Sequence, residues 1–170
     1  MKNDFLIYEL ECLNCYLTLE YKTIKKIFPK VIIPNYVYLD LKPMLEKDSM
    51  TKIKKLIRNK YFVLEDIELF TPEFSFYKKL ISGNDCQCRG KSEASAICIA
   101  RKNDYIILSK RLNDYSEFNI DNMILSDYLL DLFKENKIKR EETCLIWERM
   151  CSHNININEH SIEDIIQKPV

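Results

Sequence analysis

The chain has 170 residues, 46% hydrophobic and 31% charged, a composition typical of a soluble globular domain with its own core. Its 26 basic and 26 acidic residues cancel, so the net charge argues neither for nor against a nucleic-acid ligand. Any phosphate-binding surface must therefore be local. The start does not resemble a signal peptide, and no apolar run approaches the roughly 20 residues of a membrane span. We therefore expect one cytoplasmic domain over residues 1–170.

Short apolar runs alternate with helical patterns along the chain. The runs predict strands at 5–8, 31–33, 61–64, 105–108 and 123–125. Helices are predicted at 13–28, 35–45, 50–59, 74–81, 92–102, 128–136, 141–151 and 162–167. Apolar strands separated by helices are typical of a parallel sheet covered on both faces. The sequence therefore predicts a three-layer α/β fold around a mostly parallel sheet of four to five strands.

The seven cysteines are an odd number, and in a reducing cytosol we expect most of them to be free thiols. A structural zinc site is the alternative, with weak spacing. Its candidate ligands are Cys12, Cys15, Cys86, Cys88, Cys151 and His153. A zinc site of this kind needs two well-formed CxxC halves, so we favour buried free cysteines.

Several polar residues follow the predicted strands. Glu9 comes after the first strand, Asp40 lies in the helix after the second, Lys110 follows the fourth and Asp127 the last. Ligands of open parallel sheets bind beyond the carboxyl ends of the strands, so these positions belong together. Glu93 adds a carboxylate one turn into a predicted helix whose other residues are mostly small and apolar. This helix leads directly to a buried strand.

Four landmarks stand in chain order and carry a resemblance. They are the segments 5–9 (FLIYE), 31–41 (VIIPNYVYLDL), 90–94 (GKSEA) and 108–111 (LSKR). This order resembles the PIN-domain family, in particular a small bacterial branch whose members read roughly VIIPxxVxxEL, GExEAIALA and LLLDDR. The strand and helix at 124–132 and the tail at 154–166 fall where that branch has its last elements. The resemblance implies a PIN-like fold over nearly the whole chain.

PIN domains are typically ribonucleases that depend on Mg²⁺ or Mn²⁺, and many are toxins of toxin–antitoxin pairs. Two hard cations roughly 4 Å apart need several anionic oxygens. Matched position by position, Glu9, Asp40 and Glu93 correspond to family acids, two of them with Asp and Glu exchanged. Asp127 is the candidate for a fourth carboxylate, with Asp114 as a weaker one. The resemblance thus implies that Glu9, Asp40, Glu93 and Asp127 form the catalytic and metal-binding set.

The chain departs from the family at the paired aspartates, which correspond to Ser109 and Lys110, while Arg111 matches the arginine that follows. An ammonium among carboxylates supplies the positive charge that a metal otherwise brings. We therefore expect a site held by Lys110, with no divalent cation.

Other interpretations stay open for each residue. Glu9 and Glu11 lie two residues apart, so on a strand either could be the first acid. Glu93 suits the positive end of a helix dipole, and Asp127 suits a helix cap. Lys110 and Arg111 are also candidates for phosphate contacts.

Two clusters of basic residues lie outside these motifs. The first consists of Lys22, Lys25, Lys26 and Lys30, and the second of Lys52, Lys54, Lys55, Arg58 and Lys60. Such clusters are most often the solvated face of a helix. With Arg89, Lys91, Lys110 and Arg111, however, Lys55 and Arg58 could guide an RNA backbone, and some of the ten tyrosines could stack on bases.

The expected function is that of a divergent PIN-domain protein with weakened or lost ribonuclease activity that binds RNA or a protein partner, for example an antitoxin. The alternatives are an active endonuclease for single-stranded RNA and a non-catalytic regulatory module. The sequence leaves the RNA target, the partner and the oligomeric state open.

Overall fold

The computed structural model describes residues 4–28, 30–83, 89–153 and 155. Its centre is a sheet of five parallel strands in the order β3-β2-β1-β4-β5. The strands are β1 (Phe5–Ile7), β2 (Val31–Pro34), β3 (Phe62–Glu65), β4 (Ile106–Ser109) and β5 (Asn122–Ile124). The predicted α/β fold with its parallel sheet is confirmed, and every predicted strand lies within one or two residues of an observed one.

Eight α-helices in the described residues flank the sheet. They are α1 (Leu10–Thr18), α2 (Tyr21–Ile27), α3 (Asn35–Leu41), α4 (Lys47–Arg58), α5 (Pro72–Ser82), α6 (Lys91–Asn103), α7 (Leu125–Lys134) and α8 (Arg140–Ser152). Helix α1 contacts α4 and α8, and α8 contacts α7, which makes one layer. Helices α3 and α5 contact α6, which packs on β1, β2 and β4 from the other layer. None of the described helices is long and apolar enough to cross a membrane.

The order of the strands creates a switch point between β1 and β4. The chain runs from β1 outward through β2 to β3, and then crosses back to place β4 on the other side of β1. Ile7 pairs with Leu108, so the residues that follow these two strands leave the sheet side by side. In open parallel sheets this crevice is where ligands bind. The candidate site is therefore built around Glu9 and Lys110.

The helix predicted over 13–28 is wrong, because the structure has two helices there. Leu19 and Glu20 are extended, with ψ angles of 157° and 145°, and they separate α1 from α2. The Lys52 ammonium stabilises the break by donating hydrogen bonds to the carbonyl oxygens of Leu17 at 2.5 Å and Leu19 at 2.9 Å. Leu19 is nevertheless buried, so the apolar pattern continues across the break and hides it.

Three other boundaries differ from the prediction. Helix α3 ends at Leu41 and a 3₁₀ turn (Lys42–Met44) follows, since Pro43 has no N–H with which to continue an α-helix. Helix α4 begins at Lys47, three residues before the predicted start at residue 50. Helix α7 begins at Leu125, so Ser126 and Asp127 lie in its first turn. The helix predicted at 162–167 lies outside the described residues.

The cap of α5 gives a first test of the fold. The Thr71 hydroxyl accepts a hydrogen bond from the Phe74 N–H at 3.2 Å. We expect Thr71→Ala to lower the free energy of unfolding by about 1 kcal/mol, because the N–H loses its partner. Thr71→Ser keeps the oxygen and should cost much less in the same urea titration. Equal losses for both variants would contradict the capping role.

Candidate functional site at the carboxyl edge of the sheet

Glu9 is the residue at which β1 passes into α1, and it is the N-cap of that helix. Its carboxylate accepts the backbone N–H of Lys110 at 2.5 Å and the Cys12 thiol at 3.5 Å. Burial raises the pKa of Glu9 above the usual range, and the hydrogen bond from the Lys110 amide opposes that shift. Glu9 is therefore a partly buried carboxylate held by the chain that follows β4.

The Lys110 side chain points to Glu11, and its Nζ lies 2.7 Å from Glu11 Oε1. This hydrogen bond raises the pKa of Lys110 and lowers the pKa of Glu11. Glu9 is the N-cap of α1 and Glu11 lies in its first turn, so neither acid is on a strand. The argument that a strand would place both on the same face therefore does not apply. Lys110 binds both acids, Glu9 through its backbone and Glu11 through its ammonium.

Glu93 lies in the first turn of α6 and is held by a second cation. Its Oε1 accepts hydrogen bonds from Arg89 Nη1 and from the Tyr115 hydroxyl, both at 3.1 Å. Arg89 Nη2 also lies 3.2 Å from Glu117 Oε1, and the Arg89 side chain is only 15% exposed. Burial alone would lower the pKa of Arg89, but Glu93 and Glu117 outweigh it and raise the pKa. The cation that Glu93 meets is therefore Arg89.

Two tyrosines connect the Glu9 side of the crevice to the Glu93 side. The hydroxyls of Tyr8 and Tyr115 lie 2.8 Å apart, and Asn113 Nδ2 lies 3.5 Å from the Tyr8 hydroxyl. Burial raises the pKa of both phenols above the ordinary value, so they stay protonated and can donate. We call this set the switch-point network, and it consists of Tyr8, Glu9, Glu11, Arg89, Glu93, Lys110 and Tyr115.

Ser109, which the resemblance matches to an aspartate of PIN domains, has a structural role in this fold. It is fully buried, and its hydroxyl lies 2.6 Å from the Arg111 carbonyl oxygen and 2.9 Å from Asn122 Oδ1. Asn122 Nδ2 in turn donates to the Asn113 carbonyl oxygen at 2.8 Å. The serine therefore ties the turn after β4 to the start of β5.

The other two predicted carboxylates take no part in the hydrogen bonds of the network. Asp40 is exposed on α3, and Asp127 is exposed in the first turn of α7. Across residues 4–28, 30–83, 89–153 and 155, no group of three or more His, Cys, Asp or Glu side chains is placed to hold a metal ion. Of the predicted set Glu9, Asp40, Glu93 and Asp127, the structure therefore joins Glu9 and Glu93 to the switch-point network and leaves Asp40 and Asp127 exposed on their helices.

The four predicted nucleic-acid contacts divide between opposite edges of the sheet. Lys110 and the exposed Arg111 follow β4 at the carboxyl edge. Lys55 and Arg58 are in the last turn of α4, which leads into β3 at the amino edge. An RNA backbone that contacted all four residues would therefore have to pass from one edge of the sheet to the other.

Sequence reasoning missed much of the network. It treated Arg89 only as a contact for RNA, and it gave no role to Tyr8, Asn113 or Tyr115. Tyr8 was detectable, since it immediately precedes Glu9 at the end of a strand. Tyr115 and Asn113 belong to the irregular segment between β4 and β5, where no periodicity marks which side chains turn inward.

Three cysteines are buried thiols, as predicted: Cys12, Cys15 and Cys98. Burial raises the pKa of Cys15 and of Cys98 to about 12, so both are protonated at neutral pH. Cys86 and Cys88, the other half of the considered zinc site, lie outside the described residues.

Comparisons with known proteins add no relative. No protein-family model, no curated protein and no solved structure matches the chain. The resemblance to PIN domains therefore depends on the motifs and on the fold described above.

The raised pKa of Glu9 predicts how this residue affects stability. A carboxyl whose pKa is higher in the folded than in the unfolded state contributes stability that is present at low pH and lost as pH rises through the folded pKa. Glu9→Gln should therefore stabilise the protein at pH 7 relative to wild type, and the difference should shrink as pH falls toward 4. The comparison requires urea titrations of both proteins at several pH values. A destabilised variant at pH 7 would contradict it.

Proposed function

We propose that the chain is a divergent PIN-like protein that has kept the nuclease scaffold, has lost metal-dependent cleavage, and binds RNA. One observation carries the loss of cleavage: Glu9 and Glu93, two of the predicted catalytic acids, are already held by donors of the protein. Glu9 accepts from the Lys110 N–H at 2.5 Å, and Glu93 accepts from Arg89 and Tyr115.

The physical argument concerns what neutralises clustered acids. In a two-metal nuclease the cations do so, and they also activate water and stabilise the leaving oxygen. Here Arg89 and Lys110 supply positive charge at fixed positions, with hydrogen bonds of 3.1 and 2.7 Å to Glu93 and Glu11. Both donors bind Oε1 of Glu93, so a divalent cation at this carboxylate would lie close to the positive charge of a guanidinium that is only 15% exposed and would be repelled by it. The network therefore favours the metal-free state.

The test is an assay of cleavage and binding on one substrate, a labelled single-stranded RNA of mixed sequence. We expect no cleavage above the blank with Mg²⁺, Mn²⁺ or EDTA, and binding that EDTA does not change. The control is Glu93→Gln, which should behave like wild type in the cleavage assay. Cleavage that requires Mn²⁺ and disappears in Glu93→Gln would instead establish an active ribonuclease.

A protein partner is the second candidate. The loop between β3 and α5 exposes two large apolar side chains, Leu69 at 63% and Phe70 at 96%, and Phe70 has a positive φ of 64°. A bulky residue in that backbone region is unusual and costs conformational energy. If the RNA assay shows neither binding nor cleavage, the proposal fails in favour of a protein-binding module that uses this loop.

A further inference from the structure

Nine of the 26 basic residues of this neutral protein lie in two segments that contain no acid. Segment 21–39 carries four lysines and neither Asp nor Glu, and segment 49–64 carries five Lys or Arg residues and again no acid. The first segment includes α2 and the second includes most of α4. A local surface of strong positive charge is thus encoded in a chain whose net charge is zero.

The fold joins the two segments through a pair of aromatic rings. Tyr21, at the start of α2, and Tyr61, just before β3, have ring centroids 6.1 Å apart in an edge-to-face arrangement. Asn59 Nδ2 donates a hydrogen bond of 2.5 Å to the Tyr21 hydroxyl. Both rings are partly exposed. Two π faces therefore lie where the basic segments meet.

Lysines lie directly beside these rings. The Lys55 ammonium is 4.7 Å from the centroid of the Tyr21 ring, and the Lys25 ammonium is 5.1 Å from that of Tyr61 and 5.7 Å from that of Tyr21. Exposed contacts of this kind are weak, about 0.5–1 kcal/mol, so an approaching anion can draw the ammonium away from the ring. A phosphate at either lysine would leave a ring face beside it for a base.

Four lysines of the two segments already bind other groups of the protein. Lys52 binds carbonyl oxygens at the end of α1, while Lys22, Lys26 and Lys30 pair with Glu20, Glu142 and Asp4. The remaining side chains are exposed and have no carboxylate within 4.0 Å in the part of the chain that the structure describes. They are Lys25, Lys54, Lys55, Arg58 and Lys60.

We propose that this α2–α4 surface, made of Tyr21, Tyr61 and those five cations, binds single-stranded nucleic acid. The cations contact the phosphates, and the tyrosine rings stack on unpaired bases, which are available in a single strand and hidden in a duplex. The surface lies at the amino edge of the sheet, away from the switch-point network. The inference rests on the RNA-binding half of the proposed function and assigns a location to it.

Two triple variants with equal charge change test the location. The first replaces Lys25, Lys55 and Arg58 with Gln, and the matched control replaces Lys42, Arg101 and Lys102, which are also exposed and lie outside α2 and α4. The probe is a labelled 15-nucleotide oligouridine, measured by fluorescence anisotropy over a range of salt concentrations. Three lost phosphate contacts should weaken binding on the order of 100-fold at 0.1 M salt and reduce the salt slope by about 2.

A third variant separates stacking from charge. Tyr21→Leu should weaken binding on the order of tenfold without changing the salt slope, and Tyr21→Phe should restore it. A duplex of the same length should bind more weakly than the single strand. Circular dichroism and a urea titration show whether each variant has kept its fold.

The outcomes distinguish this inference from the proposed function. Oligouridine binding that both triple variants weaken equally, or that neither weakens, overturns the α2–α4 surface and leaves RNA binding intact. Competition by polyglutamate as effective as that by unlabelled RNA also overturns it, because charge alone would then explain the binding. Absence of oligouridine binding in wild type overturns the RNA half of the proposed function and this inference together.

Discussion

Ser109→Asp, which introduces the aspartate that the resemblance to PIN domains implies at this position, is expected to lower the free energy of unfolding by about 4–5 kcal/mol. Ser109 is fully buried, and both polar atoms nearest to its hydroxyl, the Arg111 carbonyl oxygen and Asn122 Oδ1, are acceptors. A carboxylate there would be larger, charged and faced by two other acceptors. The measurement is a urea or thermal unfolding titration at pH 7.

Ser109→Asn is the matched control, because it adds nearly the same volume without the charge and its amide can donate to both acceptors. We expect it to cost about 1–3 kcal/mol, from overpacking alone. Burial should raise the pKa of the introduced aspartate, so the aspartate variant should approach the asparagine variant in stability as pH falls. An aspartate variant as stable as wild type at pH 7 would contradict this expectation, because position 109 would then tolerate a buried carboxylate.

Arg89→Met is expected to lower the free energy of unfolding by about 2–3 kcal/mol. The guanidinium is 15% exposed and Glu93 is 22% exposed, so the pair is partly screened and its loss should cost less than that of a fully buried pair. The substitution leaves Glu93 with the Tyr115 hydroxyl at 3.1 Å and removes the contact between Arg89 and the Phe118 ring, 5.9 Å away.

A double-mutant cycle with Glu93→Gln isolates the pair. If Arg89 mainly neutralises Glu93, the double variant should recover at least about 1 kcal/mol relative to the sum of the single effects. The control is Lys22→Met, since Lys22 pairs with Glu20 at 84% and 71% exposure and should contribute almost nothing. Simple additivity of Arg89→Met and Glu93→Gln would show that the two side chains stabilise the protein independently.

The sheet could be predicted from sequence because its strands are buried on both faces. Runs such as Val31–Pro34 are apolar throughout, and a turn or helix signal bounds each of them. Helix boundaries were harder to predict, since the interaction that ends α1 comes from Lys52, a residue far away in the sequence. Local pattern cannot reveal a cap that the tertiary fold supplies.

The same distinction between local sequence pattern and tertiary contact applies to the candidate site. Glu9, Glu93 and Lys110 could be found because they follow or precede predicted strands, and the fold places them at the switch point. The partner of Glu93 could not be found, because Arg89 reaches it from the turn before α6 and Tyr115 from an irregular loop. Asp40 matches a family acid in sequence, yet its side chain is exposed on α3.

Titration calorimetry with Mn²⁺ on wild type beside Glu93→Gln tests the central claim most directly. If the protein's own donors take the place of metals, neither protein should show saturable binding, since Arg89 and the Lys110 amide already bind one oxygen of each carboxylate and Arg89 adds a positive charge beside Glu93. Saturable binding by wild type that is lost in Glu93→Gln would contradict the account and identify a functional metal site.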